Sequence, residues 1–184
     1  MMEDRYSSDT IAAIATAMSN SGIGIVRVSG SEACMIVDRI FRGGKDGRSE
    51  KRLTEVPSHT VHYGMIQDGE EVIDEVMVIV MRGPHSYTAE DTVEIDCHGG
   101  VLVMKRILET VIRYGARPAE PGEFTKRAFL NGRIDLSQAE AVMELIQSRN
   151  RYAMESSVNQ LKGSVSGKIG KLREDILYHL AYIE

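Results

Sequence analysis

The sequence predicts an α/β (α+β) domain with a mixed sheet covered by helices, followed by an all-α segment with one long helix. Three observations carry this reading. Apolar, β-branched runs of strand length alternate with helical stripes as far as Tyr114. The run Arg117 to Val142 then turns the chain, because Pro118 and Pro121 force extended backbone and Asn131-Gly132 supplies a helix stop. From Met154 onward the apolar residues step by three or four without a strand signal.

Thr10 to Ala15 and Ile23 to Val28 read as two strands that pair, separated by a Ser/Asn/Gly loop. Ser29 with Glu32 offers a capping box, and Ala33, Ile36, Val37, Ile40 and Phe41 give a helical stripe facing a sheet. Thr60 to Ile66 and Val72 to Met81 flank Asp68-Gly69, a hairpin signal. The second of these strands is so continuously apolar that it reads as central, with both faces covered. Gly83-Pro84 breaks it. Thr92 to His98 follows with Val93, Ile95 and Cys97 on one face and Glu94, Asp96 and His98 on the other. Val101 to Tyr114 is a helix whose Leu102 or Val103, Ile107, Val111 and Tyr114 lie on the sheet, and Gly115 caps its end.

Beyond the prolines, Phe124, Ala128 and Phe129 repeat at helical spacing, so a short helix fills Glu123 to Leu130. Ser137 with Glu140 reads as a second capping box, with Leu136 stapled onto Ala141. From Met154 through Val158, Leu161, Val165, Ile169, Leu172, Ile176 and Leu180 to Ile183 the apolar step is about 3.6 residues. That pattern predicts one long helix with a single apolar seam, and the preceding segment, Gln138 to Arg149, covers only part of it.

The 184 residues are 42% hydrophobic and 27% charged, a globular profile with room for a domain and an appendage. Lys and Arg total 22 against 27 Asp and Glu, a net charge of -5, which argues against a surface dominated by phosphate contacts. The densest basic stretch, Arg42 to Arg52, is interleaved with Gly43, Gly44 and Gly47 and reads as a solvated loop. Cys34 and Cys97 read as reduced, buried thiols of a cytoplasmic protein, with no disulfide between them. No apolar run approaches the ~20 residues of a membrane span.

Several candidate sites fail on chemistry. Gly163-Ser164-Val165-Ser166-Gly167-Lys168 is one residue short of a phosphate loop, has Ile169 where Ser or Thr holds magnesium, and lacks a preceding strand. Gly22-Ile23-Gly24 lacks the third glycine of a dinucleotide fingerprint. His59, His62, His85, Cys97 and His98 match no zinc spacing, so no metal site is expected. His98-Gly99-Gly100 resembles a hydrolase oxyanion loop, but no Gly-x-Ser-x-Gly elbow supplies a nucleophile. No nucleophile and base pair is compelled by spacing, so catalytic residues remain unassigned.

Three stretches stand out as motifs: Asp9 to Thr16 with Gly22 to Gly30, Ser86-Tyr87-Thr88-Ala89-Glu90-Asp91-Thr92-Val93-Glu94-Ile95 with His98-Gly99-Gly100, and Pro121-Gly122-Glu123-Phe124 through Arg127-Ala128-Phe129-Leu130-Asn131-Gly132 to Gln138-Ala139-Glu140-Ala141. Together they resemble the bacterial tRNA-modification GTPases of the MnmE or TrmE family. The loop Ala17 to Ser21 departs from the Pro-Pro-Gly turn of many members. The resemblance implies residues 1–131 as an N-terminal tetrahydrofolate-binding and dimerisation domain and 132–184 as the first part of a central helical domain. A GTP-binding domain, with its GTP, Mg2+ and K+, would be missing from this chain.

The resemblance further marks the positions of Arg27, Glu94 and Arg133 as those that bind 5-formyltetrahydrofolate, with Arg133 where some members have Lys. A carboxylate such as Glu94 accepts from an aminopyrimidine edge, and guanidinium groups bind a formyl oxygen or an acidic tail. An ion pair between Arg27 and Glu94 is the plain structural alternative. The implied whole enzyme is a cytoplasmic homodimer that, with an FAD-dependent partner and tRNA, modifies the five-position of wobble uridine. The other classes are a free-standing folate-dependent aminomethyl transferase and a dimerisation module without ligand.

Overall fold

A computed structural model describes residues 9–45, 49 and 52–183. Two compact units divide it, Met1–Phe124 and Thr125–Glu184. The first is an α/β unit built on a seven-stranded sheet. Its elements are β1 (Ile11–Ile14), β2 (Ser21–Ser29), α1 (Ala33–Ile40), β3 (Phe41–Gly43), β4 (Thr60–Asp68), β5 (Glu71–Met81), β6 (Thr92–Gly99), α2 (Val101–Arg113) and β7 (Arg117–Pro118). The strand order is β3-β4-β5-β6-β2-β1-β7. All neighbours are antiparallel except β1 and β7, so the sheet is mixed, as expected.

One face of the sheet carries the core. Val26 and Val28 of β2, Val76, Val78 and Val80 of β5, and Val93, Ile95 and Cys97 of β6 pack with Ala33, Ile36, Val37 and Ile40 of α1 and Met104, Ile107 and Val111 of α2. The pleat sends every second residue of these strands to the opposite face. There Val61, Tyr63, Met77 and Ile23 stay exposed. The strand β5 is interior in the sheet, but the expectation that both its faces are covered does not hold. Its apolar run is continuous because Met77 and Ile79 line the open face while valines line the core.

Local chemistry explains most boundaries. Gly69 takes φ 64 in the β4–β5 turn, a conformation that glycine adopts without a Cβ clash. The helix α1 begins without the expected capping box: Glu32 is its N-cap and makes no side-chain cap bond. Ser29 is instead engaged by Thr88 and Glu90, at 2.6 and 2.8 Å. In α2 it is Val103 that packs toward the core, with Met104 fully buried and Leu102 exposed. The expected solvated loop at Arg42 to Arg52 lies partly outside the described residues, which omit 46–48, 50 and 51.

A short helix α3 spans Glu123–Leu130 as predicted. In the second unit, α4 (Leu136–Gln147) and α5 (Arg151–Leu161) are tied by reciprocal amides. Gln138 donates to the Leu161 carbonyl at 2.7 Å and Gln160 to the Ser137 carbonyl at 2.8 Å. The capping box of α4 is Asp135 with Gln138, two residues before the expected Ser137 and Glu140. Asp135 wins because its carboxylate also accepts from the Ser137 hydroxyl at 2.7 Å. Leu136 therefore lies inside the helix and exposed, not stapled. The expected single long helix is two: α5 ends at Leu161, Gly163 adopts φ 76, and α6 runs Ser164–Ile183. Its apolar residues Ile169, Leu172, Ile176 and Leu180 are exposed. No described helix is long and apolar enough to cross a membrane.

Candidate functional site

The sheet register places Arg27 of β2 directly opposite Glu94 of β6. Their neighbours Val26, Val28, Val93 and Ile95 point into the core, so the alternation sends both charged side chains to the open face. The Arg27 Nε donates to Glu94 Oε1 at 2.6 Å, with the two side chains 26% and 16% exposed. The guanidinium also lies over the Tyr87 ring, 5.3 Å from its centroid, and over the Phe124 ring at 5.4 Å. A guanidinium within reach of two aromatic rings draws cation–π attraction from both, and its flat, delocalised charge suits such contacts better than a lysine ammonium does.

Two hydrogen-bond networks hold those rings. Tyr87 belongs to the loop between β5 and β6, where the buried hydroxyls of Ser29, Thr88 and Thr92 meet, and where Gly30 N donates to the Asp91 carbonyl at 2.9 Å. Arg82 pins the same loop through Asp91 at 3.0 Å and the carbonyls of Leu53 and Thr54. Phe124 follows Glu123, whose side chain is fully buried and accepts from Arg117 at 2.6 and 3.1 Å and from the Glu120 backbone N–H at 2.7 Å. Arg117 also donates to Asp9 at 2.7 Å. Its hydrogen bonds to Glu123 and Asp9 raise its already high pKa.

Beside the pair on β6 sits Asp96, whose register partners are Ile25 and Met77. Its Oδ1 is buried and has no hydrogen-bond partner. Burial, and then the Glu94 charge, push its pKa up. A recess of about 260 Å³ adjoins it, lined by Ile23, Tyr63, Glu75, Met77 and His98 among others. At its rim His98 Nδ1 meets Asp74 at 2.7 Å, which raises the histidine pKa, and Tyr63 donates to Glu75.

Of the expected site residues, Arg27 and Glu94 are in contact in the first unit. Arg133 belongs to the second, where it is exposed and its backbone N–H donates to the Ala128 carbonyl at 2.9 Å. Tyr87, Phe124 and Asp96 were not singled out from sequence as site residues, although all three lie within or beside the quoted stretches. Among the described residues no group of three or more His, Cys, Asp or Glu is placed to hold a metal. His59 bonds Ser58 and His62 bonds Thr60, at 2.8 and 2.7 Å. Cys34 and Cys97 are buried, free thiols whose pKa burial pushes up to about 11.

Residues 10–133 match the family described as GTP-binding protein TrmE N-terminus, and residues 136–184 match the MnmE helical domain. A tRNA modification GTPase MnmE of Lachnoclostridium phytofermentans is 60% identical over 177 residues, 96% of this chain and 38% of that protein. Proteins of the same name from Bacillus thuringiensis and Bacillus pumilus are 56% and 54% identical over 178 residues, again 96% of this chain. The chain thus spans little more than a third of the length of these relatives, at 37 to 38%.

Proposed function

Because the chain belongs to the TrmE and MnmE family of tRNA modification GTPases and comprises its N-terminal and helical domains, we propose that it supplies the folate-holding and assembling parts of such an enzyme. Residues 1–131 form the tetrahydrofolate-binding and dimerisation domain, and 132–184 the first part of the central helical domain. The ligand is 5-formyltetrahydrofolate, a one-carbon donor, held by Arg27, Glu94 and Arg133. In the longer protein a GTP-binding domain uses GTP, Mg2+ and K+. The dimer works in the cytoplasm with an FAD-dependent partner on the five-position of wobble uridine in tRNA. Further helices of that longer protein cover the apolar residues of α6.

The observation that supports this reading best is the Arg27–Glu94 pair between two aromatic rings. An ion pair serving only stability has no need of two aromatic rings against its guanidinium, yet this partly buried pair has both Tyr87 and Phe124 there. The groups present fit a folate: Glu94 keeps a second carboxylate oxygen for N–H donors, and the fixed guanidinium edge presents donors to an oxygen acceptor. The folate supplies the one-carbon unit, and these residues bind and orient it.

Calorimetric titration with 5-formyltetrahydrofolate tests the reading. Wild type is expected to bind saturably and Glu94→Gln at least thirtyfold more weakly, the ~2–5 kcal/mol typical of breaking a desolvated charge pair. Equal affinity, with the dimer intact in both by light scattering, would make the carboxylate structural and the site assignment wrong.

A further inference from the structure

On the open face of β6 the charged side chains at alternate positions are Glu94, Asp96 and His98. Glu94 is engaged by Arg27 and His98 by Asp74, while Asp96 has a buried carboxylate oxygen with no partner. Leaving such an oxygen unsatisfied costs free energy, so its retention calls for a compensating contact. Its register partners cannot supply one, since Ile25 and Met77 carry no hydrogen-bond donor on their side chains. The recess beside it has apolar walls in Ile23 and Met77 and an aromatic one in Tyr63. Glu75 and His98 also line it but are engaged by Tyr63 and Asp74, and apolar walls with the unpaired Asp96 acceptor beside them suit a flat heteroaromatic ring that carries N–H donors on its rim.

We propose that Asp96 is a further binding residue of the Arg27–Glu94 site, its unpaired carboxylate oxygen accepting a hydrogen bond from the aminopyrimidine edge of the ligand's ring. This rests on the folate reading and divides the work within it. Glu94, already bonded to Arg27 at 2.6 Å, orients the guanidinium and keeps one oxygen for the ligand. Asp96, two positions along the same strand face and so about 6.6 Å away, takes the donor that Glu94 does not reach. A fused bicyclic ring lying along β6 spans both positions and fills the recess beyond.

The test compares 5-formyltetrahydrofolate with its analogue lacking the exocyclic ring amine, each titrated calorimetrically into wild type, Asp96→Leu and Asp96→Asn. The expected result is a loss of about tenfold or more for the folate on Asp96→Leu and a smaller loss on Asp96→Asn. The analogue, weaker on wild type, should lose little more on either variant. Unchanged folate affinity in a variant that melts cooperatively would overturn the assignment. Equal losses for both ligands would also overturn it, because a carboxyl that merely shapes the recess does not distinguish them. If Asp96→Leu fails to fold, Asp96→Asn decides between the same outcomes. Absence of folate binding by wild type would remove the folate reading and this inference together, and it shows before any substitution is made.

Discussion

Arg27 and Glu94 meet at 2.6 Å across β2 and β6, and the arginine of that pair is also bracketed by Tyr87 and Phe124. The two arrangements depend on different properties of the side chain. Charge alone makes the ion pair, whereas the ring contacts favour a flat, delocalised cation.

Arg27→Lys separates them. An ammonium keeps the charge opposite Glu94 but cannot stack between two rings, so each cation–π contact loses part of its ~0.5–1 kcal/mol. The expected thermal midpoint falls by about 2–4 °C, as ~1 kcal/mol does in a chain of this size. Affinity for 5-formyltetrahydrofolate should fall alongside it. A lysine variant with the wild-type melting point would show that the rings do not hold the guanidinium.

Asp96 gives a pH dependence of known sign. Burial raises its folded pKa above the unfolded value of ~3.9, so between the two values the folded chain binds more protons than the unfolded one. Stability contributed by the protonated group is present below the unfolded pKa and is lost as pH rises through the folded one. Asn at this position never ionises. Asp96→Asn is therefore expected to be more stable than wild type at pH 7 by on the order of 1 kcal/mol, the low end for an unsatisfied group because the carboxyl is partly screened. The advantage should vanish near pH 4. Denaturant melts at both pH values check this, and an advantage that does not change with pH would assign it to packing instead of ionisation.

Gly163 ends the apolar step that otherwise continues from α5 into α6. Its φ of 76 is the reason, for an added Cβ would meet nothing nearer than Gln138 Nε2 at 3.7 Å. Space is available, and backbone strain is what Gly163→Ala introduces. The cost is roughly 1–2 kcal/mol for an L-residue held left-handed. Circular dichroism should show either that loss in the melt or a continuous helix through residue 163 with higher helicity. An unchanged midpoint and unchanged helicity would mean that the break is not held at this residue.

What sequence could read was what local chemistry sets. The Asp68-Gly69 hairpin, the Glu123–Leu130 helix and the alternation of β6 each follow from a few consecutive residues. The strands β3 and β7 escaped because three and two residues carry no period, and only pairing with β4 and β1 defines them. The α4 cap was misplaced because Asp135 and Ser137 are both cap-competent, and the choice depends on which side chain the other donates to. The helix break was hidden because apolar spacing is blind to a single φ. In the site, Arg27 and Glu94 carry a visible resemblance. The placement of Tyr87 and Phe124 around Arg27 depends on two loops anchored by Ser29 and Arg117, which no local pattern encodes.

Glu123 links stability to the site. Its carboxylate, fully buried, accepts from the two terminal guanidinium nitrogens of Arg117 and from the Glu120 N–H, and the next residue is Phe124, whose ring lies against Arg27. Glu123→Gln removes the charge while keeping the size, so Arg117 retains only Asp9 as an ionised partner among these contacts. Breaking a buried pair costs ~3–5 kcal/mol, but Arg117 is 38% exposed, and water recovers part of this. About 2 kcal/mol is expected, or a midpoint lower by about 4–8 °C. Arg117→Gln alone should cost a similar amount by taking the Arg117 guanidinium away from the buried carboxylate. The double variant should cost less than the sum, because each single change already removes the contact between the two side chains, and the shortfall measures the pair directly. If the two losses add, the Arg117–Glu123 contact is not what positions the start of α3, and Phe124 owes its place over Arg27 to packing alone.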